Sequence, residues 1–415
     1  MKSKYSVLII GGGTAGIMSA AQLLKKDSSL SIGIIDPADT HYYQPAWTLV
    51  GAGTYDYEDT ARPMKELIPK GADWIQDYAT GFDADKNLVN TKNSGDIAYD
   101  YLIVAPGLVM EPSQIEGLES ALDKGVVCSN YTDSEHTWEV LKNFKGGNAV
   151  FTQPTTPIKC GGAPQKIAYL AADYFKKHNI DAEVIFATPG SVLLGVDEIN
   201  ETLKKVVDRY GIHFKPFYAP VKIDAEKKIV TFKYVGEDKS ELKANTQIEE
   251  KISGETIEMP FDMLHLAPPQ AAPQFIRDSN LVNEEGWLDV NINSLQHNTY
   301  PNIFGLGDVA ALPTAKTGAA IRKQVPVVIE NLMFLMNNKP ASNTDYQGYS
   351  SCPLVTGYGK MVLAEFDYEN NFTPDPKLKQ MLIFDSSKEH WRLWMLKKYG
   401  LPYLYWNKMM KGEAV

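Results

Sequence analysis

The apolar positions of the first 40 residues fall into three stretches with different spacing. Tyr5 to Ile10 is an almost continuous apolar run, as in a strand covered on both faces. It yields to Gly11-Gly12-Gly13-Thr14-Ala15-Gly16, then to helically spaced apolar positions through Leu24. A second apolar run, Ser31 to Ile35, stops at Asp36. The predicted order is strand, glycine turn, helix, strand. Two more strands end in turns, Tyr99 to Gly107 (YDYLIVAPG) and Tyr300 to Ala310 (YPNIFGLGDVA). Between them a second α/β unit is predicted: strand Asn148 to Thr152, helix Gln165 to Lys177 and strand Glu183 to Ala187. The polar stretch Gly236 to Glu258, between strand-like Lys228 to Tyr234 and Met263 to Ala267, is expected as an exposed ribbon or loop. The pattern predicts an α/β protein of two Rossmann-like dinucleotide-binding domains with a C-terminal amphipathic helical segment. Expected boundaries are 1–110 for the first segment of one domain and 111–290 for the second domain. Residues 291–380 return to the first domain, and 381–415 form the C-terminal segment.

Gly11, Gly13 and Gly16 match GxGxxG, and Asp36 lies 20 residues beyond Gly16. Such glycines let a pyrophosphate approach the backbone and the helix N-terminus, while the acid accepts a ribose hydroxyl. The two later strand-and-turn signals resemble those of two-dinucleotide-domain flavoproteins of the FAD-dependent disulfide-reductase type. That resemblance implies FAD, with Asp308 on its ribityl chain. It also implies a helix beginning near Lys316 whose positive end faces the flavin.

The second unit lacks a matching loop. Its first strand runs into QPTTPIKCGGAPQK, where Pro154, Pro157 and Pro164 remove amide donors, and Gly161 and Gly162 directly follow Cys160. A nicotinamide donor is therefore not expected. Cys160 precedes a helix start and sits between Lys159 and Lys166, a setting that lowers a thiol pKa. Cys352 lies in GYSSCPLVTGYGK, expected as a shaped turn, and Cys128 reads as structural. With seven histidines, none at ligand spacing from Cys160 or Cys352, no metal is expected.

Composition narrows the classes. The chain has 415 residues, 51 acidic and 41 basic, for a net charge of −10, which lacks the footprint of a nucleic-acid binder. The longest apolar candidate for a membrane span, Val325 to Met336, is interrupted by Pro326, Glu330 and Asn331. From Lys388 to Val415, however, six basic residues face two acidic ones. There Trp391, Trp394, Tyr399, Tyr403, Tyr405 and Trp406 crowd together, and Gly400 and Pro402 are expected to split the stretch into two short interfacial helices.

The segments HYYQPAWTLVGAG, TPIKCGGAPQKI, LPTAKTGAA, SCPLVTGYGKMVLAEFDY and PYLYWNKMMKG resemble sulfide:quinone oxidoreductases, in particular the group of the mitochondrial enzyme. The resemblance implies a redox pair of Cys160 and Cys352. It also implies FAD contacts at Gly11, Gly13, Thr14, Ala15, Gly16, Asp36, Gln44, Ala79, Gly107, Asp308 and Lys316. Hydrosulfide attacks the pair, a persulfide forms on Cys352, and the Cys160 thiolate passes two electrons through FAD to a quinone. Sulfane sulfur leaves to a thiol or sulfite, or grows as polysulfide. Phe384, Trp391, Trp394, Tyr403 and Trp406 are expected at the quinone or membrane surface, and a homo-oligomer stays open. The alternative is a type II NADH:quinone oxidoreductase, of similar fold. Because the chain enters a strand by Tyr5, leaving no room for a targeting peptide, the expected place is the cytoplasmic face of a bacterial inner membrane.

Overall fold

The computed structural model describes residues 2–339 and 344–413. Its largest sheet has seven strands and is built around Lys4–Ile10. This strand pairs in parallel with Ile32–Ile35 on one side and Asp96–Val104 on the other. Ala72–Ile75 extends the sheet beyond Ile32–Ile35, and Ile303–Gly305 returns from far along the chain to pair in parallel with Leu102–Val104. Leu88–Thr91 and Ala79–Asp83 add an antiparallel edge. Val7, Leu8, Ile9, Leu102 and Ile103 are fully buried, which is why both central strands read as continuous apolar runs rather than alternating ones.

A second sheet of five strands is parallel throughout, in the order Val127–Cys128, Met263–Leu266, Gly147–Thr152, Ala182–Thr188, His213–Pro216. The helix Ala163–Lys177 crosses it and is buried along most of its length. The stretch expected as an exposed ribbon is more integrated than its polarity suggests. Lys251–Ser253 and Thr256–Pro260 join Tyr218–Asp224 and Ile229–Tyr234 in a four-stranded antiparallel sheet. Ile248 and Ile257 are fully buried, and the Ile248 carbonyl accepts from Asn148 Nδ2 at 3.0 Å. Two apolar side chains among many charged ones give little periodic signal, yet they anchor the ribbon.

Cys352 lies within a strand rather than a turn. Ser350–Gly357 pairs antiparallel with Lys360–Phe366, placing Cys352 opposite Ala364. Pro353 fits because a two-stranded hairpin leaves each strand one open edge. The hairpin packs on Ala163–Lys177, so Cys352, Leu354 and Val355 share a core with Ile167, Ala168 and Leu170.

The C-terminal segment is one helical run, not two helices. Trp391–Met395 is α, Leu396–Gly400 is a π turn and Leu401–Asn407 is α again. Pro402 cannot donate to a carbonyl four residues back, and the wider turn just before it absorbs that mismatch without a break. No helix among the described residues is long and apolar enough to cross a membrane.

Candidate active site

The three parallel strands Lys4–Ile10, Asp96–Val104 and Ile303–Gly305 end side by side, and each runs into a glycine-bearing turn. Gly11 has φ +99°, and a Cβ there would lie 2.3 Å from the Ala105 carbonyl oxygen; one on Gly16 would lie 1.8 Å from the Gly11 oxygen. Those two glycines are fixed by close packing. Gly13, by contrast, faces open space and begins the helix Thr14–Lys26 with no side-chain cap, leaving amides free for an anion. Asp36 accepts from Gly12 N at 2.6 Å and Ala38 N at 2.8 Å, and burial raises its pKa. Gly107 has φ +76° in the second turn, again facing open space. Asp308 occupies the third turn, its carboxyl pKa raised by burial against the opposing pull of Lys159 and Lys316. This open cradle, ringed by free amides and buried acids, fits a dinucleotide. Ala79 opens the edge strand shortly beyond Ile75, whose carbonyl accepts from Asp36 N.

Lys316 does not itself begin a helix. The long helix Gly318–Met336 starts two residues later, capped by Thr317 Oγ1 on Ala320 N at 3.1 Å. The Lys316 ammonium donates to the carbonyls of Asp308 (2.7 Å) and Ala310 (3.0 Å) and lies 4.0 Å from the Trp287 ring centre. Burial lowers its pKa to about 8. Its own carbonyl accepts from Cys160 N at 2.8 Å, joining the cradle to the cysteine loop.

Cys160 and Cys352, 192 positions apart, meet with their sulfurs 3.8 Å from one another. Cys160 adopts φ +50°, a conformation L-residues rarely take. It is held there by three contacts: its amide on Lys316, its carbonyl on Ala163 N (2.7 Å), and the Tyr131 hydroxyl on that carbonyl (3.3 Å). Gly162 is the reason for the second glycine after Cys160. A Cβ there would meet Cys352 Sγ and Leu354 Cδ2 at 2.7 Å each. The N-terminus of Ala163–Lys177, free for a phosphate in a nicotinamide-binding unit, is thus turned onto a sulfur. Lys166, 2% exposed, rises from the helix's first turns and donates to Cys160 Sγ at 2.9 Å. The Cys352 thiol as donor, followed by Lys166, holds the Cys160 pKa well below the ordinary thiol range. Donation to Cys160, together with burial, holds Cys352 well above it. The Lys166 contact on Cys160 Sγ favours Cys160 as the more readily ionised of the two. Cys128 is fully buried, its thiol raised by desolvation, in keeping with a structural role.

Two contributions were not visible in the sequence. Gln44, expected at the cofactor, accepts a hydrogen bond from Lys159 Nζ. Its neighbour Pro45 offers a carbonyl to Lys397 Nζ at 3.0 Å, although Lys397 belongs to the C-terminal segment. Lys397 is 4% exposed, and burial lowers its pKa to about 7. From the same segment the Tyr405 hydroxyl meets Thr14 Oγ1 at 2.7 Å and His41 Nε2. Basic and aromatic residues in an amphipathic stretch read equally as surface or interior, so no sequence signal singled these out.

The outer face is different. Trp391, Met395, Tyr399 and Tyr403 form a stripe at spacing four, all exposed, Trp391 at 59% and Tyr403 at 60%; nearby Phe384 is 76% exposed. Trp394 and Trp406, expected with them at the quinone or membrane surface, are placed differently. Trp394 is 9% exposed and packed in the core, and Trp406 is half-buried between His41, Tyr43 and Tyr405. The helix turns both toward the protein interior.

Residues 5–330 match the model of the pyridine nucleotide-disulphide oxidoreductase family. A mitochondrial sulfide:quinone oxidoreductase of Mus musculus is 37% identical over 99% of this chain and 87% of its own length. One from Dictyostelium discoideum is 39% identical over 100% of this chain and 87% of its own. The sulfide:quinone oxidoreductase structure from Aquifex aeolicus superposes with a TM-score of 0.78 at 21% identity, covering 100% of this chain and 92% of that one. A type II NADH:quinone oxidoreductase of Staphylococcus aureus reaches only 24% identity over 83% of the chain, which sets aside the alternative. The bacterial inner membrane expected from the N-terminus is also overturned, because the relatives at 37% and 39% identity are mitochondrial enzymes. A targeting peptide is removed on import, so the start of a chain carries no information about its compartment. Flavin-type chemistry comes with the family, and the glycine cradle is built for it. The chain belongs to the sulfide:quinone oxidoreductases, within the pyridine nucleotide-disulphide oxidoreductase family.

Proposed function

We propose that this enzyme oxidises hydrosulfide at Cys160 and Cys352 and delivers two electrons through FAD to a membrane quinone. The observation that carries the reading is the meeting of the two sulfurs, 3.8 Å apart, with Lys166 2.9 Å from one of them. A direct disulfide needs about 2.05 Å, so the two sulfurs stand unbonded in contact, close enough to be joined directly or through one added sulfur. FAD, when bound in the glycine cradle, accepts the electron pair from the cysteines and yields it to quinone. Gly11, Gly13, Thr14, Ala15 and Gly16 would hold its pyrophosphate, and Asp36 a ribose. Gln44, Ala79, Gly107, Asp308 and Lys316 would line the remainder.

The chain's own residues divide the sulfur chemistry. Lys166 keeps Cys160 ionised, so Cys160 is the better leaving group and the flavin-side thiolate, and Cys352 carries the persulfide. Sulfane sulfur then passes to a thiol or sulfite, or lengthens as polysulfide. The exposed stripe with Phe384 is read as the surface that rests on a membrane and meets quinone. In domain terms, 1–110 with 291–380 would hold FAD, 111–290 would carry Cys160, and 381–415 would face the membrane.

The test is anaerobic addition of sulfide to the purified holoenzyme with the flavin spectrum recorded, followed by decylubiquinone. Bleaching that quinone reverses, and that Cys160→Ser and Cys352→Ser each abolish, is expected. Bleaching that survives both substitutions would remove the cysteines from the reaction.

A further inference from the structure

A chain of hydrogen bonds ties the C-terminal run to the glycine turn at the start of the protein. Tyr405, on the helical stretch Leu401–Asn407, bonds through its hydroxyl to His41 Nε2 and, at 2.7 Å, to Thr14 Oγ1. His41 Nδ1 meets the Gly12 carbonyl at 3.2 Å, and the Gly12 amide donates to Asp36 Oδ2 at 2.6 Å. Both His41 and Tyr405 are buried. The strand Thr40–Tyr42, paired with Ala61–Pro63, sets His41 in place, and the Tyr43 ring packs 4.6 Å from that of Tyr405. The partners fix the direction of each proton. A carbonyl only accepts, so Nδ1 of the neutral ring carries the hydrogen and Nε2 is left as an acceptor. Burial disfavours the charged ring. The Tyr405 hydroxyl therefore donates to Nε2, and its oxygen accepts from Thr14. With the Thr14 hydroxyl committed to the protein, the uncapped amides of the helix Thr14–Lys26 are left to meet an anion.

Two successive peptides of the turn are thus pinned, Gly11–Gly12 by Asp36 and Gly12–Gly13 by His41. A run of three glycines resists peptide rotation very little on its own. Turning over the Gly12–Gly13 peptide would exchange the directions of its carbonyl and amide, and with them the sign of the charge offered to an anion. We propose, resting on the reading of this turn as the seat of the FAD pyrophosphate, that His41 and Tyr405 are positioning residues for the cofactor. Tyr405 sets the His41 tautomer, and His41 Nδ1–H locks the Gly12–Gly13 peptide in the orientation the cradle needs. The conformational freedom of the glycines is then lost on folding rather than on binding, so FAD is held more tightly. The far end of the chain becomes part of the cofactor site without touching the cofactor.

The experiment follows FAD release from the holoenzyme after dilution, read as the return of flavin fluorescence. Four variants are compared with the wild type: Tyr405→Phe, His41→Gln, His41→Asn and the double Tyr405→Phe/His41→Asn. Asparagine places an amide nitrogen near the position of Nδ1, and glutamine near that of Nε2, so only asparagine keeps the donor to Gly12. Tyr405→Phe and His41→Gln are each expected to release FAD about tenfold faster, the scale of one buried polar group left without its partner. His41→Asn should stay within about twofold of the wild type. Adding Tyr405→Phe to it should change nothing more, since no tautomer remains to be set. A purely structural role would make His41→Asn as damaging as His41→Gln; that result, or wild-type release from Tyr405→Phe, would overturn the proposal. If the wild-type protein yields no FAD on denaturation, the underlying reading of the glycine turn falls first, so the two failures are distinguishable.

Discussion

At Gly162 the effect of one methyl group is set by two contacts. A Cβ would press on Cys352 Sγ and Leu354 Cδ2 at 2.7 Å, while at Gly161 it would meet nothing within 4 Å. Overpacking of this kind costs about 1–3 kcal/mol. Gly162→Ala should therefore move the sulfurs apart and slow sulfide-driven flavin bleaching about tenfold, since about 1.4 kcal/mol is one decade in rate. Gly161→Ala should leave the rate unchanged; equal slowing in both would show that the loop, not the sulfur contact, is sensitive. Lys166 offers a second residue-scale test. With the Cys160 pKa depressed, its thiolate persists below the ordinary midpoint of about 8.5 and is lost only as pH falls through the lowered value. Lys166→Met removes the cation at 2.9 Å and should move that midpoint upward. Iodoacetamide labelling of Cys160 in the reduced enzyme should then drop near neutral pH and stay unchanged well above the midpoint. An unshifted profile would mean that the Cys352 thiol alone sets the thiolate.

Among the elements, the C-terminal run changes most between sequence and structure. Its inner face places Leu393 and Trp394 in the core around the cysteine hairpin, and Tyr405, Met409 and Met410 in the core around the fingerprint helix. Burying five such side chains contributes on the order of 10 kcal/mol, comparable to the whole stability of a typical domain. Deleting the chain from Trp391 onward should accordingly give a protein that unfolds at much lower temperature and loses flavin. The double variant Trp391→Gln/Tyr403→Gln should keep its flavin and melting temperature and lose only vesicle binding. A truncated chain that stays folded and flavin-loaded would show the run to be a detachable anchor. The contrast explains what the sequence could convey. The glycine fingerprint was legible because strand, turn, helix and acid are consecutive, and Gly11 and Gly16 answer a local steric demand. The pairing of Cys160 with Cys352 came through resemblance, since spacing says nothing about contacts 192 positions apart. Lys397 and Tyr405 were illegible because a π turn shifts the helical phase, and the 3.6-residue period that sorts inside from outside fails where it matters.

Across the whole molecule, charge and apolar exposure are separated. The chain carries −10 overall, yet six basic residues stand against two acidic ones from Lys388 to the end. On the outer stripe two cations lie over aromatic rings, Arg392 at 4.8 Å from Trp391 and Lys398 at 5.5 Å from Tyr399. On the proposed membrane reading, an anionic surface would repel the bulk of such a molecule and attract this face, with charge setting the orientation and the exposed rings supplying the insertion. Each basic side chain near the surface is worth about 1 kcal/mol, screened over about 10 Å at 0.1 M salt. Arg392→Glu/Lys398→Glu should therefore weaken binding to anionic vesicles by more than tenfold at low salt and far less at high salt. Binding to neutral vesicles should change little, whereas Trp391→Gln should weaken both. Because the inner face of the same helical run, with Lys397 on the Pro45 carbonyl and Tyr405 at the fingerprint, is left untouched, the charge-reversed protein should still be bleached by sulfide at the wild-type rate and fail only in turnover with membrane-borne quinone. If charge reversal leaves binding to anionic vesicles intact at low salt, the membrane meets a different face of the molecule, and the stripe is exposed for another purpose.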